Sequence, residues 1–241
     1  MGQLVNVAME FIDRCERHQQ LGGLINDFSK TVSCFGFSAF MMTRLPALNE
    51  DAEPYVIAHS WPVEWLNRYR EQAYFWHDPV SLHSFTQVRP FSWIEARRSY
   101  PGTRLAMQLA SEASSLGLVD GIGFPLGDPN CVQAVVSLAS DMPVDLDTMS
   151  REMLHLVCIH AEIRAVELHE HAPAMFGRLS RREREVLRWI ANGKTMADVG
   201  DILSISQRTV RDHVEHAKLR LNASTATHAV AKAIKSRQII L

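Results

Sequence analysis

The stretch from Ser180 to Leu221, SRREREVLRWIANGKTMADVGDILSISQRTVRDHVEHAKLRL, constrains this chain more than any other, because it spells three short helices joined by tight turns. Ser180 to Glu183 is S-x-x-E, in which the hydroxyl accepts from an early helix N–H while the Glu side chain returns to the amide of the cap. Val186, Leu187 and Ile190 then fall on one side, and Asn192-Gly193 stops the helix with residues that tolerate positive φ. Thr195 caps a second helix whose Met196, Val199, Gly200 and Leu203 recur at i, i+3, i+4 and i+7, the spacing of a single buried stripe. Ser204-Ile205-Ser206 is a turn with one apolar plug. Ser206 caps a third helix with an inner stripe of Val210, Val214, Ala217 and Leu221, which leaves Gln207, Arg208, Arg211 and Glu215 pointing outward.

Helix, short turn and second helix, with hydrogen-bonding side chains on the free face of the second, is the arrangement that enters a major groove. Periodicity alone fits a surface helix of a small bundle equally well. Charge separates the two readings. Residues 178–241 hold 13 Lys and Arg against 6 Asp and Glu, a net +7, which leaves 12 against 21, or −9, for the rest of a chain whose total is −2. A near-neutral protein divided this sharply carries a polyanion-binding module on something that does not bind polyanions.

These residues also carry a resemblance. L-S-x-R-E-x-E-V-L (Leu179 to Leu187), W-x-A-x-G-K-T (Trp189 to Thr195) and I-S-x-x-T-V-x-x-H (Ile205 to His213) resemble the helix-turn-helix of LuxR-type transcription regulators. Glu183, Leu187 and Gly193 match signature positions, read here as fold-keeping residues. The resemblance implies a dimer on double-stranded DNA with an inverted-repeat operator, and admits RNA polymerase as a further partner. Gln207, Arg208, Thr209, Arg211 and Glu215 lie on the reading helix, with Arg211 suited to a bidentate contact with guanine and Glu215 to a cytosine amino group. Lys194, Thr195 and Lys218 are placed to hold the DNA backbone. A fourth helix after Ser224, with Ala229, Val230, Ala233 and Ile234, is too short to bury its stripe alone and is expected to pair with its twin.

At 241 residues and 46% apolar composition the chain can build two cores. It has no run of 18 apolar residues and no basic segment leading into an apolar one at the start, so a cytoplasmic protein without membrane contact is expected. Cys15, Cys34, Cys131 and Cys158 lack C-x-x-C spacing and read as reduced thiols. Helical spacing runs from Leu4 to about Cys15 and from Leu21 to Val32, where Gly36 ends the second helix. Phe37 to Leu45 and Tyr55 to His59 read as strands around a polar loop, Pro46 to Pro54. Asp120 to Leu126 and Cys131 to Ala139 read as a hairpin across Gly127-Asp128-Pro129-Asn130, and Asp145 to about His169 as one long helix. The expected fold is α+β: an N-terminal α/β/α sandwich with a mostly antiparallel sheet over residues 1–170, a linker over 171–178, and an all-α helix-turn-helix domain over 179–241.

Chemistry concentrates between Trp61 and Trp93. Pro62 suits the first turn of a helix in which Val63 and Leu66 share one side while Trp65 and Tyr69, at i and i+4, share another. A helix with two apolar faces needs two apolar partners: one is the core, and the other is either more core or a ligand. Asp78 precedes Pro79, which biases it toward an extended backbone. A carboxylate among Trp65, Tyr69, Tyr74, Phe75 and Trp76 is costly to bury unless it accepts hydrogen bonds. An Asp before Pro is also a common turn residue.

W-x-x-x-Y-x(8)-D-P (Trp65, Tyr69, Asp78, Pro79), Trp93 fifteen positions after the Asp, and Gly121 resemble the acyl-homoserine-lactone-binding domain of quorum-sensing LuxR proteins. The resemblance implies that Trp65 donates to the lactone carbonyl, Asp78 accepts the ligand's amide N–H, and Tyr69 donates to the acyl oxygen. Trp93 packs on the lactone ring and Ser137 assists at the amide, while Trp61, with Met41 and Met42, shapes the tail pocket. Such a ligand has one amide donor, carbonyl acceptors and an apolar tail, so its pocket must supply one acceptor, a few donors and much apolar wall.

Other constellations carry less. His155 and His160 are five apart on a helix and diverge, so His155, His160, His169 and His171 do not read as a metal site. Gly121-Ile122-Gly123 lacks the third glycine of a dinucleotide loop and reads as strand positions where a backbone or ligand comes close. No G-x-S-x-G or nucleophile triad is present, so a non-enzyme without cofactor is expected. The rivals are the same architecture sensing a non-lactone molecule, a response regulator, whose early acidic cluster and βα alternation are missing, and an enzyme with a DNA-binding appendage.

Overall fold

In the computed structural model, which describes residues 2–46, 51–100, 102–128, 131–170, 179–235 and 238–239, the chain separates into two units, Met1–Glu170 and His171–Leu241. The expected linker, 171–178, lies outside the described residues, as do 47–50 of the polar loop and 129–130 of the hairpin turn.

An antiparallel sheet divides the first unit. Its strands are β1 (Ala39–Arg44), β2 (Val56–His59), β3 (Phe91–Ser92), β4 (Asp120–Asp128) and β5 (Cys131–Ser140), in the order β2-β1-β5-β4-β3. Side chains alternate across a strand. On β1, Phe40 and Met42 therefore join one core, and Ala39 and Met41 another. The first core lies under α1 (Gly2–Cys15), α2 (Leu21–Ser33) and a long helix over Thr148–Glu170, where Phe11, Phe28, Leu154 and Val157 meet Phe40, Met42, Val136 and Leu138. Gly36, at φ +90°, turns the chain out of α2 as its position suggested.

On the other face lie α3 (Val63–Glu71), α4 (Pro79–Ser84), α5 (Trp93–Ser99) and α6 (Arg104–Ser115); the long helix is accordingly α7. The arrangement is the α/β/α sandwich expected from the sequence. Several boundaries moved. Glu53–Tyr55 forms a 3₁₀ turn before β2, and α7 starts at Thr148 because Asp147 Oδ1 accepts the amide of Ser150 at 2.8 Å and ends the preceding loop.

The second unit is α8 (Arg181–Ala191), α9 (Met196–Leu203), α10 (Gln207–Arg220) and α11 (Ala226–Lys235). Ser180 with Glu183, and Thr195 with Asp198, form complete capping boxes, and the Ser206 hydroxyl accepts from the Thr209 amide. Caps of this kind contribute about 1 kcal/mol each. Val186, Val199, Val210 and Val214 pack between α8, α9 and α10. Gly200 is required at the turn, since a Cβ there would sit 2.8 Å from the carbonyl oxygen of Ile205. Ala229 and Ala233 of α11 are fully buried beside Leu187 and Ala217 of the same unit. The alanines of that stripe pack inside the domain, while Ile234 is 37% exposed.

Candidate functional site

Between the sheet and the α3–α6 layer lies a cavity of 690 Å³. Trp65 and Tyr69, one turn apart on α3, present their rings to it at a centroid separation of 5.7 Å, and Trp61, just ahead of the helix, meets Tyr69 at 5.2 Å. Met41, Val135 and Ser137 form the floor. Ser137 and Met41 are partners across β5 and β1, so one row of the sheet supplies both.

Asp78 is the N-cap of α4 and is 9% exposed. Its Oδ1 accepts from the Val80 amide at 2.8 Å, and its Oδ2 accepts from the Tyr69 phenol at 2.9 Å. Ser81 Oγ lies 3.1 Å from the same phenol oxygen. Burial holds the Asp78 carboxyl above its ordinary value, opposed by the hydrogen bonds from Val80 and Tyr69 and by the charge of Arg97. Burial, and then the neighbouring Asp78, push the Tyr69 phenol well above its usual range. The wall thus carries one buried carboxylate with lone pairs to spare. Tyr69 has a single proton, already given to Asp78, so its expected donation to an acyl oxygen competes with this bond.

Trp93 opens α5 behind the Ser92–Glu95 capping box and donates from Nε1 to Ser137 Oγ at 3.1 Å. Its ring lies where a side chain on Gly121 would be: a Cβ there would stand 2.6 Å from the indole and 2.2 Å from the Leu138 carbonyl oxygen. Gly121 therefore acts by making room for Trp93. Arg97 stands 6.0 Å from the Trp93 ring.

Trp61, Trp65, Tyr69, Asp78, Trp93 and Ser137 all line one cavity. Met42 does not. Strand alternation turns it to the opposite face, where it is 2% exposed in the core under α1, α2 and α7, and Met41 takes the cavity side. Ser81, and Ala106, Leu109, Ala110 and Ala113 of α6, were not anticipated. Ser81 sits three residues after Asp78, a position that a helix starting at Pro79 would have flagged.

In the second unit Gln207, Arg208 and Arg211 are exposed and gather with Asp212 around a shallow hollow on α10. Lys194 is exposed at the start of the turn before α9. Thr195 Oγ1 donates to Asp198 Oδ2 at 2.7 Å and Thr209 Oγ1 lies 2.8 Å from Ser206 Oγ, so both hydroxyls serve the helix caps. Lys218 Nζ reaches both carboxylate oxygens of Glu215, at 2.9 and 3.0 Å. Glu183 is 2% exposed, held by its capping box and by Arg220 at 3.4 Å, which agrees with its reading as a fold-keeping residue.

An aromatic cavity with a buried carboxylate in one unit, and a helix-turn-helix with an exposed basic face in the other, define a ligand-responsive transcription regulator. Comparison with known proteins agrees. Residues 21–165 match the family described as "Autoinducer binding domain", and residues 177–233 match "Bacterial regulatory proteins, luxR family". The chain is 35% identical to the HTH-type quorum sensing-dependent transcriptional regulator RpaR of Rhodopseudomonas palustris, over 94% of this chain and 92% of that one. It is 32% identical to the transcriptional activator protein BjaR1 of Bradyrhizobium diazoefficiens, over 96% of each. The crystal structure of Escherichia coli SdiA superposes with a TM-score of 0.70 at 20% identity, covering 97% of this chain and 98% of that one, and so shares the fold. The chain belongs to the LuxR family of quorum-sensing transcription regulators. Its matched relatives are regulators by name, not enzymes. Among the described residues, no group of three or more His, Cys, Asp or Glu is placed to hold a metal ion, and no helix is long and apolar enough to cross a membrane.

Proposed function

We propose that residues 1–170 bind an N-acyl-homoserine lactone and that residues 179–241, joined through 171–178, read an inverted-repeat operator as a cytoplasmic homodimer. Asp78 accepts the ligand's amide N–H, with Tyr69 and Val80 fixing the carboxylate. Trp65 donates to the lactone carbonyl, Trp93 covers the lactone ring, and Ser137, beneath the Trp93 indole, serves the acyl amide. The tail lies against Met41 and Trp61. Arg211 pairs with guanine and Glu215 with a cytosine amino group, beside Gln207, Arg208 and Thr209, while Lys194, Thr195 and Lys218 hold phosphates. Binding is the whole of the activity, and no cofactor takes part. Contact with RNA polymerase completes the output.

The observation that carries this reading is Asp78: a buried carboxylate on an aromatic wall, aimed by Tyr69 and Val80, is the partner an amide N–H needs. A ligand bound only by the folded state adds about 4 kcal/mol at a thousandfold excess over Kd, so soluble protein is expected to accumulate with signal.

The test is mass spectrometry of small molecules that co-purify with the protein from cells making several acyl-homoserine lactones. One lactone should be retained by the wild type and lost from Asp78→Ala. Retention of none, or of the same lactone by the variant, overturns the assignment.

A further inference from the structure

Ser137, Met41 and His59 stand in one row across the sheet, because Met41 is the register partner of Ser137 on β5 and of His59 on β2. All three face the cavity. The strand-like path continues past His59: the Ser60 amide donates to the Phe40 carbonyl at 2.9 Å and Ser60 Oγ accepts from the Phe40 amide at 3.0 Å. Residues two apart on an extended chain share a face. His59 and Trp61 both line the cavity, and His59 lies two inter-strand spacings, or roughly 10 Å, from Ser137.

That end of the cavity holds an unusual pair of atoms. Trp61 Nε1 and His59 Nδ1 are buried, and neither has a hydrogen-bonding partner in the protein. Buried polar atoms are paired in the large majority of cases. Among the described residues only one further side-chain atom, Nε of Arg151, is buried and unpartnered, and Arg151 does not line the cavity. A phenylalanine at position 61 would fill the wall without stranding a donor. Burial also lowers the pKa of His59, which keeps the imidazole neutral near pH 7, with one N–H and one lone pair.

We propose that this end of the cavity recognises a hydroxyl on the tail of the ligand, held between the Trp61 indole N–H and a ring nitrogen of His59. The proposal rests on the reading that the cavity takes an acylated homoserine lactone with its amide at Asp78. An indole N–H can only donate, so the tail must bring an acceptor. A neutral imidazole presents either a donor or a lone pair, and a hydroxyl answers both. The ligand class is then an acyl-homoserine lactone with polar groups at both ends of an apolar or aromatic span.

The experiment titrates the full chain with paired N-acyl-homoserine lactones, straight tails of four to eight carbons and the same tails with a terminal hydroxyl. A pocket built only of apolar wall gains nothing from an added hydroxyl, whereas one built to hydrogen-bond it rejects the compound lacking it by orders of magnitude. At the matching length the hydroxylated compound should bind at least tenfold tighter than its parent. The ratio of the two affinities, measured within each variant, should fall toward one in Trp61→Phe and in His59→Leu. Equal or weaker binding of every hydroxylated compound, with parents still bound, overturns this inference and leaves the proposed function standing, as does a preference that survives both substitutions. Failure of all the lactones to bind removes both.

Discussion

The Tyr69 phenol donates to Oδ2 of Asp78 at 2.9 Å, from the last turns of α3 to the cap of α4. With the Val80 amide on Oδ1, it aims the buried carboxylate of the cavity wall. Tyr69→Phe keeps the ring and deletes the bond. A hydrogen bond to a charged group is worth about 1.5–3 kcal/mol. Ligand-free protein should lose stability of about that size in urea unfolding, and affinity for the retained lactone should fall roughly tenfold or more. An unchanged midpoint would mean that the phenol holds nothing in place.

Two carboxyls of the first unit should bend its pH dependence in opposite directions. Glu112 accepts from Arg68 at 3.0 and 3.1 Å, from Gln108 at 2.8 Å and from Tyr74 at 2.9 Å, and Arg68 foremost lowers its pKa to about 2. A depressed carboxyl contributes stability above its ordinary 4.5 that is lost as pH falls toward about 2. Asp78 is raised by burial, so its contribution is present below the ordinary 3.8 and lost as pH rises through its folded value. In urea midpoints from pH 2.5 to 7, Glu112→Gln should flatten the acid limb. Asp78→Asn should gain on the wild type as pH rises. Parallel curves for either variant would contradict the corresponding shift.

Gly121 is occupied space. A methyl there would collide with the Trp93 indole at 2.6 and 2.9 Å and with the Leu138 carbonyl oxygen at 2.2 Å. The carbonyl cannot yield without breaking the β4–β5 ladder, so Gly121→Ala should cost at least the about 1–3 kcal/mol typical of overpacking. It should also displace Trp93 from Ser137. Tryptophan fluorescence and lactone titration check this; wild-type values in both would show that the indole is not seated by the glycine.

The cavity-lining residues that sequence reading brought together are those whose chemistry has a fixed spacing. Trp65 and Tyr69 share a helical face at i+4, Asp78 is set by its proline, and two helix caps in the second unit form where hydroxyl and acid stand three apart. Met42 was misplaced because β1 is buried on both faces: Ala39 to Thr43 are all buried, and without polar alternation nothing in the letters says which side faces the ligand. The α6 wall was invisible for a related reason. Ala106, Ala110 and Ala113 line the cavity by being small, which no motif records. The unpartnered nitrogens of His59 and Trp61 follow from packing and have no sequence signature at all.

The proposed homodimer also has a candidate contact on α7. Met149, Leu156 and Ile163 recur there at seven-residue intervals and are 49%, 40% and 51% exposed. That is the period of one coiled-coil seam, and the same stripe on a second copy would be self-complementary. Leu156→Glu places a charge in its middle. Sedimentation should show the wild type as a dimer and the variant shifted toward monomer, with the lactone still bound; an unmoved dimer would exclude this stripe.

On the DNA side, Arg211 is exposed on α10 one turn from the Ser206 cap, with Gln207 and Arg208 beside it, and carries the bidentate fork that guanine requires. Lys194 lies before α9, off the reading helix, and supplies only a charge. The two substitutions should therefore fail differently. Arg211→Ala should weaken binding to the preferred operator by about 1–3 kcal/mol and relax the choice at one base pair of each half-site, with little change on random DNA. Lys194→Ala should weaken operator and random DNA alike and reduce the slope of log K against log salt by about one per half-site. Electrophoretic shift titrations over a salt series, with operators varied at each position, separate the outcomes. If Arg211→Ala lowers all sequences equally, Arg211 touches phosphate, and the base contact belongs to Gln207 or Arg208.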